Sequence, residues 1–456
     1  MPDFPDYFKF GVWPDAYYMG TNTGFPNQYY AYAFDRVRML AGQPATFQYS
    51  NGHPNFMMPA DLDGPTAPPA GSPGYFYTML AEGYPNHPAG VDRLVLYEFD
   101  VDWVTPANST FGIAQQIPIA DYNYTVCGFF VGNCIPQPAT AQRIDSLSYW
   151  PMWRFAYRNL GGYEAMVGNF TVDVDGTDRA AIRWFELQYQ GAGWLLYQEG
   201  THAPNSDHRF MGSIAMDGSG NIALGYSVSS STTRPSIRYA TRLRTDPLGT
   251  LQAEASLYAG VGSQTGIHRW GDYSSINVDP ADECTFWYTN EYHDVDDAGF
   301  NWNTRVGVFR LPECTGTLGP DFTIEADPAE RNICTPADAV YDVTVNYFSG
   351  YNSQVNLSAS GLPPGATATF VPSSVITPTT DSVLTIGTAA ASAGAYNVNI
   401  VGVGVPTPTH TTTVGLNLYT AVPGAVTLVT PADAATNIDL LPTFSWNSAT
   451  QAGSYY

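Results

Sequence analysis

The sequence predicts an all-β fold, with a β-propeller followed by an immunoglobulin-like β-sandwich and a truncated second sandwich domain. Of the 456 residues, 13% are charged and 14% are aromatic, whereas an average soluble domain has about 25% charged residues. The 43 glycines and 35 prolines indicate a chain rich in turns. Short runs of β-branched and aromatic residues recur between these turns, as is typical of β-strands.

The charge balance excludes some classes of partner. Aspartate and glutamate total 41 against 18 lysines and arginines, for a formal net charge of −23. Nucleic-acid binding depends on cations that neutralise phosphates, so the sequence predicts no nucleic-acid partner. No run of eighteen apolar residues occurs, so no membrane span is predicted either. Lys9 is the chain's single lysine, and the sequence assigns it no function.

Composition and cysteine usage predict an extracellular or cell-surface protein. The first residues lack the basic and apolar segments of a secretory signal peptide, so we expect that a signal preceded this numbering and was removed. The candidate disulfides are Cys127 with Cys134, which are close in sequence, and Cys284 with Cys314, which flank a strand-loop-strand segment. Cys334 is left over.

Residues 1–318 carry a diffuse internal repeat that predicts the propeller. Two copies begin at His208 and His268, each with a His-Arg-aromatic sequence, and each runs through a strand to an Asp at a turn and into a second strand. Recurring antiparallel units of about 45 to 60 residues with three or four strands are typical of propeller blades. Four or five such units are visible, so we expect that one or more blades precede Met1.

One blade resembles a known family. The stretch 270–280, WGDYSSINVDP, followed by 284–292, CTFWYTNEY, resembles the blade motif of secreted bacterial sialidase-like (BNR-type) β-propellers of unknown function. The turn from Asp217 to Asn221 is similar to the inter-strand turn of those proteins. The strict Asp-box of sialidases, Ser-x-Asp-x-Gly-x-Thr-Trp, is absent. The resemblance implies an extracellular propeller.

The composition changes after residue 318. Residues 319–421 contain about seven short strand-like runs, as expected for an immunoglobulin-like sandwich. The sequence from Gly361 to Phe370 resembles bacterial extracellular Ig-like repeats, which usually act as spacers. Residues 422–456 begin a further unit, in which Leu441–Trp446 is similar to the Trp-bearing strand of fibronectin-type-III-like repeats. A complete sandwich needs about 100 residues, so we expect this domain to be truncated.

The candidate ligand site lies in the predicted propeller channel. If the blades are correctly phased, the first strand of each lines the channel. Converging guanidinium groups would suit a carboxylate ligand, and a nearby carboxyl group would act as acid or base if its pKa were shifted. The alternative is a structural salt-bridge network between neighbouring blades. The candidate residues are Trp13, Asp15, Asp61, Arg209, Arg269 and Asp272.

Calcium is the one cofactor for which the sequence offers ligands. Asp294, Asp296 and Asp297 supply clustered oxygen atoms after a strand, which a hard cation prefers. The spacing is not that of an EF-hand, and an ordinary turn is the alternative interpretation. The histidines and cysteines show no zinc-binding pattern, and no nucleophile elbow or phosphate-binding loop occurs.

These features together predict a non-catalytic binding or scaffolding protein outside the cell, with the propeller presented on Ig-like spacers and a glycan or protein as ligand. One alternative is a glycan-acting hydrolase of the sialidase-like propeller class. Another is an accessory region of a larger secreted enzyme. A channel that brings arginines next to an aspartate and a tyrosine would favour the hydrolase, and a channel filled by aromatic side chains would favour the scaffold.

Overall fold

The chain is all-β and divides into two compact units, Met1–Gly319 and Pro320–Tyr456. The computed structural model describes residues 5–23, 29–84, 90–128, 133–189, 191, 193–271, 273–315, 321–348, 351–405, 409–420, 426–436 and 441–447. Within these ranges, no helix is long and apolar enough to cross a membrane.

The first unit begins with a four-stranded antiparallel meander. Its strands, which pair in chain order, are β1 (Asp6–Val12), β2 (Ala16–Asn22), β3 (Tyr29–Asp35) and β4 (Phe47–His53). A short helix, α1 (Arg36–Leu40), lies between β3 and β4 and is N-capped by the Asp35 side chain. Burial alternates along β1, with one residue in two facing the interior, as the period of a strand requires.

Four further antiparallel meanders follow, each again paired in chain order. The second contains β5 (Met58–Asp63), β6 (Gly74–Leu80), β7 (Arg93–Asp100) and β8 (Thr110–Pro118). The third contains β9 (Pro151–Asn159), β10 (Glu164–Asp173), β11 (Ala180–Tyr189) and β12 (Trp194–His202). The fourth contains β13 (His208–Met216), β14 (Ile222–Ser229), β15 (Ser236–Arg242) and β16 (Ala255–Tyr258). The fifth contains β17 (Ser275–Val278), β18 (Thr285–Tyr292) and β19 (Asn303–Arg310).

The first strands of consecutive meanders are neighbours in the first unit. β1 contacts β5, β5 pairs with β9 in parallel, and β13 contacts both β9 and β17. The Tyr273 ring, just before β17, lies 5.1 Å from the Tyr7 ring of β1 and brings the fifth meander back to the first. β1 and β5 approach closely, since a Cβ on Gly11 would lie 2.0 Å from the Ala60 carbonyl oxygen. A glycine is therefore required at this position.

Aromatic side chains fill the region where these first strands begin. The Tyr7 ring lies 4.8 Å from Phe56, which precedes β5, and 4.2 Å from Trp150, which precedes β9. The Tyr7 hydroxyl donates a hydrogen bond of 2.9 Å to the carbonyl oxygen of Pro151. Ser274, just before β17, donates through its hydroxyl to the Met211 carbonyl oxygen in β13, at 2.8 Å. All five first strands are thus tied together by packing and hydrogen bonds at one end.

The two copies of the His-Arg-aromatic repeat adopt different structures. Arg209 is the second residue of β13 and is fully buried. Arg269 lies in the segment before β17 and is exposed. Gly271, which follows the second copy, has a φ of +63° that other residues rarely adopt. The strand therefore begins only at Ser275, and the two arginines are not equivalent.

The second unit contains a sandwich of two sheets around its own apolar core. The four-stranded sheet contains, in spatial order, β20 (Asp321–Asp327), β22 (Ala339–Phe348), β26 (Asp381–Gly387) and β24 (Thr367–Val371). The five-stranded sheet contains β21 (Glu330–Cys334), β28 (Thr409–Tyr419), β27 (Gly394–Gly404), β23 (Val355–Ser360) and β25 (Ser374–Val375). Buried side chains alternate along β22 and β27, so the two inner faces supply the core.

Two short strands, β29 (Thr427–Thr430) and β30 (Ser445–Asn447), form a separate antiparallel pair. Their side chains are exposed. The interpretation of residues 422–456 as part of a further sandwich domain stays a prediction.

Both expected disulfides are present. Cys127 is bonded to Cys134, with Cα atoms 5.4 Å apart, and Cys284 is bonded to Cys314, with Cα atoms 5.6 Å apart. The second bond closes a loop that contains β18 and β19, so it joins both ends of the outer hairpin of the fifth meander. Cys334 forms no disulfide among the described residues.

Candidate ligand-binding site

Arg209 is held inside the first unit by a buried ionic cluster. Its guanidinium group donates to both carboxylate oxygens of Glu254, at 3.0 and 2.9 Å, and to the Asn205 side chain at 3.0 Å. Arg238 also donates to Glu254, at 2.5 Å. Burial by itself raises the pKa of Glu254, but hydrogen bonds from His202 and the arginines outweigh it and lower this pKa well below its ordinary value. The cluster joins strands β13 and β15.

Asp61 is also part of an internal ion pair. Its carboxylate accepts hydrogen bonds from Arg154 at 2.8 Å and from the Val12 backbone N–H at 2.9 Å. Asp63 accepts two more from Arg154, both at 2.6 Å. Arg154 is only 2% exposed. The contact therefore connects the parallel strands β5 and β9, and the end of β1, through charge-assisted hydrogen bonds.

Trp13 and Asp15 lie at the β1–β2 turn. Trp13 is buried, donates to the Ser72 carbonyl oxygen at 3.2 Å, and packs edge-on against Tyr157 at 4.8 Å. Asp15 accepts a hydrogen bond of 3.0 Å from the Tyr18 hydroxyl, and burial raises the pKa of its carboxyl group. Trp13 is thus a core residue, and the Asp15 side chain is hydrogen-bonded to β2 of its own meander.

The candidate ligand-binding residues form ion pairs with different partners. The described contacts pair Arg209 with Glu254 and Asp61 with Arg154, on different strands. Among the five candidates that the structure describes, these contacts do not form one site. Asp272 lies outside the described residues. The Asp61–Arg154 pair joins two neighbouring meanders, whereas the Arg209–Glu254 pair lies within the fourth meander, so the ligand site stays a prediction.

Arg269 differs from the others because it lines an open cleft in the fifth meander. The cleft has a volume of about 190 Å³. Its lining comes from the segment before β17, from β18, and from the loop between β18 and β19. The lining residues are Arg269, Trp270, Gly271, Glu291, Phe300 and Trp302.

Two exposed aromatic side chains form one wall of this cleft. Phe300 is 63% exposed and Trp302 is 43% exposed, and their ring centroids lie 5.7 Å apart at an angle of 82°. The indole of Trp270 is buried and donates to the Ser227 hydroxyl at 3.1 Å, which fixes the opposite side of the cleft to β14. The wall therefore offers open aromatic surface beside a rigid base.

Glu291 contributes a carboxyl group to the same cleft. One of its oxygens accepts a 2.7 Å hydrogen bond from the backbone N–H of Gly271. Burial raises the pKa of Glu291 to about 7, although the hydrogen bond from Gly271 opposes the shift. The carboxyl group therefore changes its protonation near neutral pH. A Cβ at residue 271 would lie 3.1 Å from the Met211 side chain, so a larger residue here would press on that side chain.

The sequence did not single out Glu291, Phe300 and Trp302. Aromatic residues are abundant throughout this chain, and most of them fill cores. Phe300 and Trp302 lie in an irregular loop, where no alternation of apolar residues indicates which side chains face solvent. The one feature of the sequence that could have indicated Phe300 and Trp302 is their position directly after the acidic segment 294–297.

The predicted calcium ligands lie in this same loop. The Asp294 carboxylate accepts a hydrogen bond from the Tyr258 hydroxyl at 3.2 Å, and Asp296 pairs with Arg234. Asp297 accepts from the Gly299 backbone at 2.7 Å. Each carboxylate thus has a protein partner of its own. Among the described residues, no group of three His, Cys, Asp or Glu is arranged to hold a metal, and a calcium site in this loop stays a prediction.

A larger, acidic cavity of about 450 Å³ lies in the second meander. Its lining residues include Glu82, Asp92 and Asp121. Asp92 accepts hydrogen bonds from the backbone N–H groups of Glu82 and Tyr122, both at 2.7 Å, so it organises the surrounding loops. The cavity's two aromatic lining residues, Tyr122 and Tyr124, are half-buried, whereas Phe300 and Trp302 are exposed.

Comparison with known proteins gives little further information. No family model matches the chain, and no curated protein matches it. Solved structures of the S-layer protein SbsC align with it. Domains 4 and 5 share 12% identity over 42% of this chain and 90% of that chain, with a TM-score of 0.18.

Two longer structures of the same protein also align. Residues 31–844 share 11% identity over 82% of this chain and 55% of that chain, and domains 1–6 share 10% over 88% and 54%. This chain spans about half the length of each, and both TM-scores are 0.19. At such TM-scores the alignments do not establish a common fold, and we draw no functional conclusion from them.

Proposed function

We propose that the protein is an extracellular, non-catalytic binding protein whose first unit binds a saccharide in the cleft of the fifth meander. The open aromatic wall formed by Phe300 and Trp302, next to Arg269 and Glu291, carries the proposal. Aromatic faces stack on the apolar faces of sugar rings, and the arginine and carboxyl groups supply donors and acceptors for hydroxyl groups. The two disulfides support a location outside the cytosol.

The scaffold part of the proposal is supported by how the first unit is built. Arg209 and Arg154 are engaged in buried ion pairs, and aromatic side chains occupy the region where the first strands begin. Arg154 thus holds the second and third meanders together, and Arg209 holds the strands of the fourth meander together. The sandwich of the second unit fits the predicted role of a spacer.

A binding assay with matched tryptophan variants tests this function. We expect the full chain to bind members of a glycan array, and Trp302→Ala to weaken that binding at least about fivefold, because stacking of one nucleobase on an aromatic ring contributes about 1–3 kcal/mol. Trp287→Ala is the control, since Trp287 is 44% exposed on β18 but does not line the cleft. Equal losses in both variants, or no glycan binding at all, would contradict the proposal.

One specific observation, at Glu291, supports the alternative that the protein is a glycan-acting hydrolase. A carboxyl group with a pKa of about 7 is suited to general acid catalysis near neutral pH. Glycoside hydrolysis ordinarily uses two carboxyl groups, however, and among the described residues that line the cleft Glu291 is the single one. If the chain hydrolyses members of a fluorogenic glycoside panel and Glu291→Gln abolishes this hydrolysis, the protein is a hydrolase and the binding function is wrong. If hydrolysis also requires further domains, the chain is an accessory region of a larger enzyme.

A further inference from the structure

The first meander displays aromatic side chains on one of its faces. Phe8 and Phe10 lie on β1, and Phe47 and Tyr49 lie on β4, at the two edges of this sheet. These four side chains are 44–54% exposed. The half-buried Phe34 of β3 connects the two pairs, because its ring centroid lies 6.1 Å from that of Phe10 and 6.0 Å from that of Phe47. The five rings form one continuous surface, which we call the aromatic band.

The strand register continues this apolar surface across all four strands. One row of paired residues consists of Phe10, Met19, Tyr32 and Tyr49, and the next consists of Val12, Tyr17, Phe34 and Phe47. Neither row contains a charged residue. The opposite face of the sheet packs on the second meander, where Gly11 approaches the Ala60 carbonyl oxygen. The sheet thus has two apolar faces, and the band is the one whose edge side chains are exposed.

We propose that the aromatic band is a self-association surface, on which a second copy of this chain docks face to face. An apolar face of an antiparallel sheet is ordinarily covered by another sheet. A two-fold axis parallel to the strands would place β1 of one copy over β4 of the other, so the exposed rings of the two edges meet twice. Such an isologous interface closes at two copies. This inference goes beyond saccharide binding and does not depend on it.

The charge distribution favours an apolar partner surface such as the band itself. The chain has a formal net charge of −23, yet both rows are uncharged. A basic partner would find no carboxylate in the rows, and the rest of the chain would repel an acidic one. Two copies of the band match without charge pairing, while salt screens the repulsion between their other surfaces. Salt should therefore strengthen the dimer, whereas it would weaken a complex with a basic partner.

The exposed area indicates a weak and reversible dimer. An aromatic side chain offers roughly 200 Å², so the four half-exposed rings present roughly 400 Å² per copy. Two copies would bury roughly 800 Å² through these rings, below the range of about 1,200–2,000 Å² that is typical of stable interfaces. We therefore expect monomers and dimers to exchange, with the dimer fraction set by protein concentration.

Sedimentation velocity of the full chain tests the proposal. The average mass should rise from that of one chain toward that of two chains between about 1 μM and about 300 μM protein. The rise should be larger in about 0.5 M than in about 0.05 M sodium chloride, since screening reduces the repulsion between the acidic surfaces. A chain that stays monomeric at every concentration, that weakens its association in salt, or that grows beyond two copies would overturn the proposal.

Matched variants locate the interface. Phe10→Lys should raise the dimer dissociation constant at least about tenfold, because each of the two contacts would bury an unpaired ammonium group. Trp287→Lys is the control, since Trp287 has the same exposure, 44%, and lies on β18 outside the band. Circular dichroism checks that each variant is folded, and Tyr49→Ser replaces Phe10→Lys if that variant is not. Equal weakening by the band variant and the control, or weakening by the control alone, would contradict the assignment.

Discussion

The carboxyl group of Glu291 makes the cleft sensitive to pH. Its pKa is raised from 4.5 to about 7 because it is buried. A raised carboxyl pKa means that the folded state prefers the protonated group. This contribution to stability is complete below pH 4.5, the value in the unfolded chain, and is lost as the pH rises through about 7. At pH 8 the Glu291 carboxyl group is ionised, and the folded state is less stable than it would be with the neutral group.

Glu291→Gln should therefore stabilise the first unit at alkaline pH. Glutamine resembles the protonated acid and keeps an oxygen that accepts the Gly271 hydrogen bond. One pKa unit corresponds to about 1.4 kcal/mol, so we expect a gain of up to about 3 kcal/mol in unfolding free energy at pH 8 and no difference near pH 4.5. Urea unfolding followed by tryptophan fluorescence at both pH values measures it. A gain that is equal at both pH values would show that charge burial is not its cause.

Arg209, which the sequence suggested as a ligand-binding residue, forms an ion pair inside the fourth meander. Its guanidinium is fully buried and bonded to both oxygens of Glu254. Removing one member of a buried ion pair leaves an uncompensated charge, which costs about 3–5 kcal/mol. The additional contacts of Glu254 to Arg238 and Tyr226 reduce that cost.

Arg209→Met should thus lower the unfolding free energy of the first unit by about 2–4 kcal/mol. Arg310→Met is the matched control, because Arg310 is 50% exposed and lies 3.3 Å from Asp282, a surface pair that contributes at most about 1 kcal/mol. Glycan affinity of the folded Arg209→Met protein should be unchanged. If Arg209→Met weakens glycan binding but barely changes the unfolding free energy, Arg209 is a ligand-binding residue.

Strands with a local signal were predictable, and contacts between distant strands were not. The repeat that begins at His208 corresponds to β13, β14 and β15, and the alternating runs after residue 339 correspond to β22, β23, β26, β27 and β28. The turn before β14 was also predictable from its residues. The carboxylate of Asp217 accepts hydrogen bonds from the Ser219 and Asn221 backbone N–H groups in this turn.

The partners of the candidate arginines had no such local signal. Arg154 pairs with Asp61 across 93 positions, and Arg209 pairs with Glu254 across 45. Arg154 and Asp61 meet because the first strands β5 and β9 are adjacent in the folded chain, and Arg209 and Glu254 meet across the strands of the fourth meander. The two His-Arg-aromatic copies also looked equivalent in sequence, because a positive φ at Gly271 is not visible in a motif match.

The division into two units gives them separately measurable stabilities. Nine of the ten tryptophans lie before residue 319, so tryptophan fluorescence reports mainly on the first unit. Far-ultraviolet circular dichroism reports on strands of both. The disulfide Cys284–Cys314 lies wholly within the first unit, while each unit contains its own buried core.

Replacing both Cys284 and Cys314 by serine should therefore destabilise the first unit alone. A disulfide that closes a loop of 30 residues restricts the unfolded chain, and its loss costs about 3–4 kcal/mol in the chain-entropy treatment. The fluorescence transition should move to lower denaturant, while a circular dichroism transition from the second unit keeps its midpoint. The double variant Cys127→Ser with Cys134→Ser is the comparison. It opens a loop of only seven residues, so its shift should be smaller. A single transition that moves as a whole in both probes would mean that the two units unfold together.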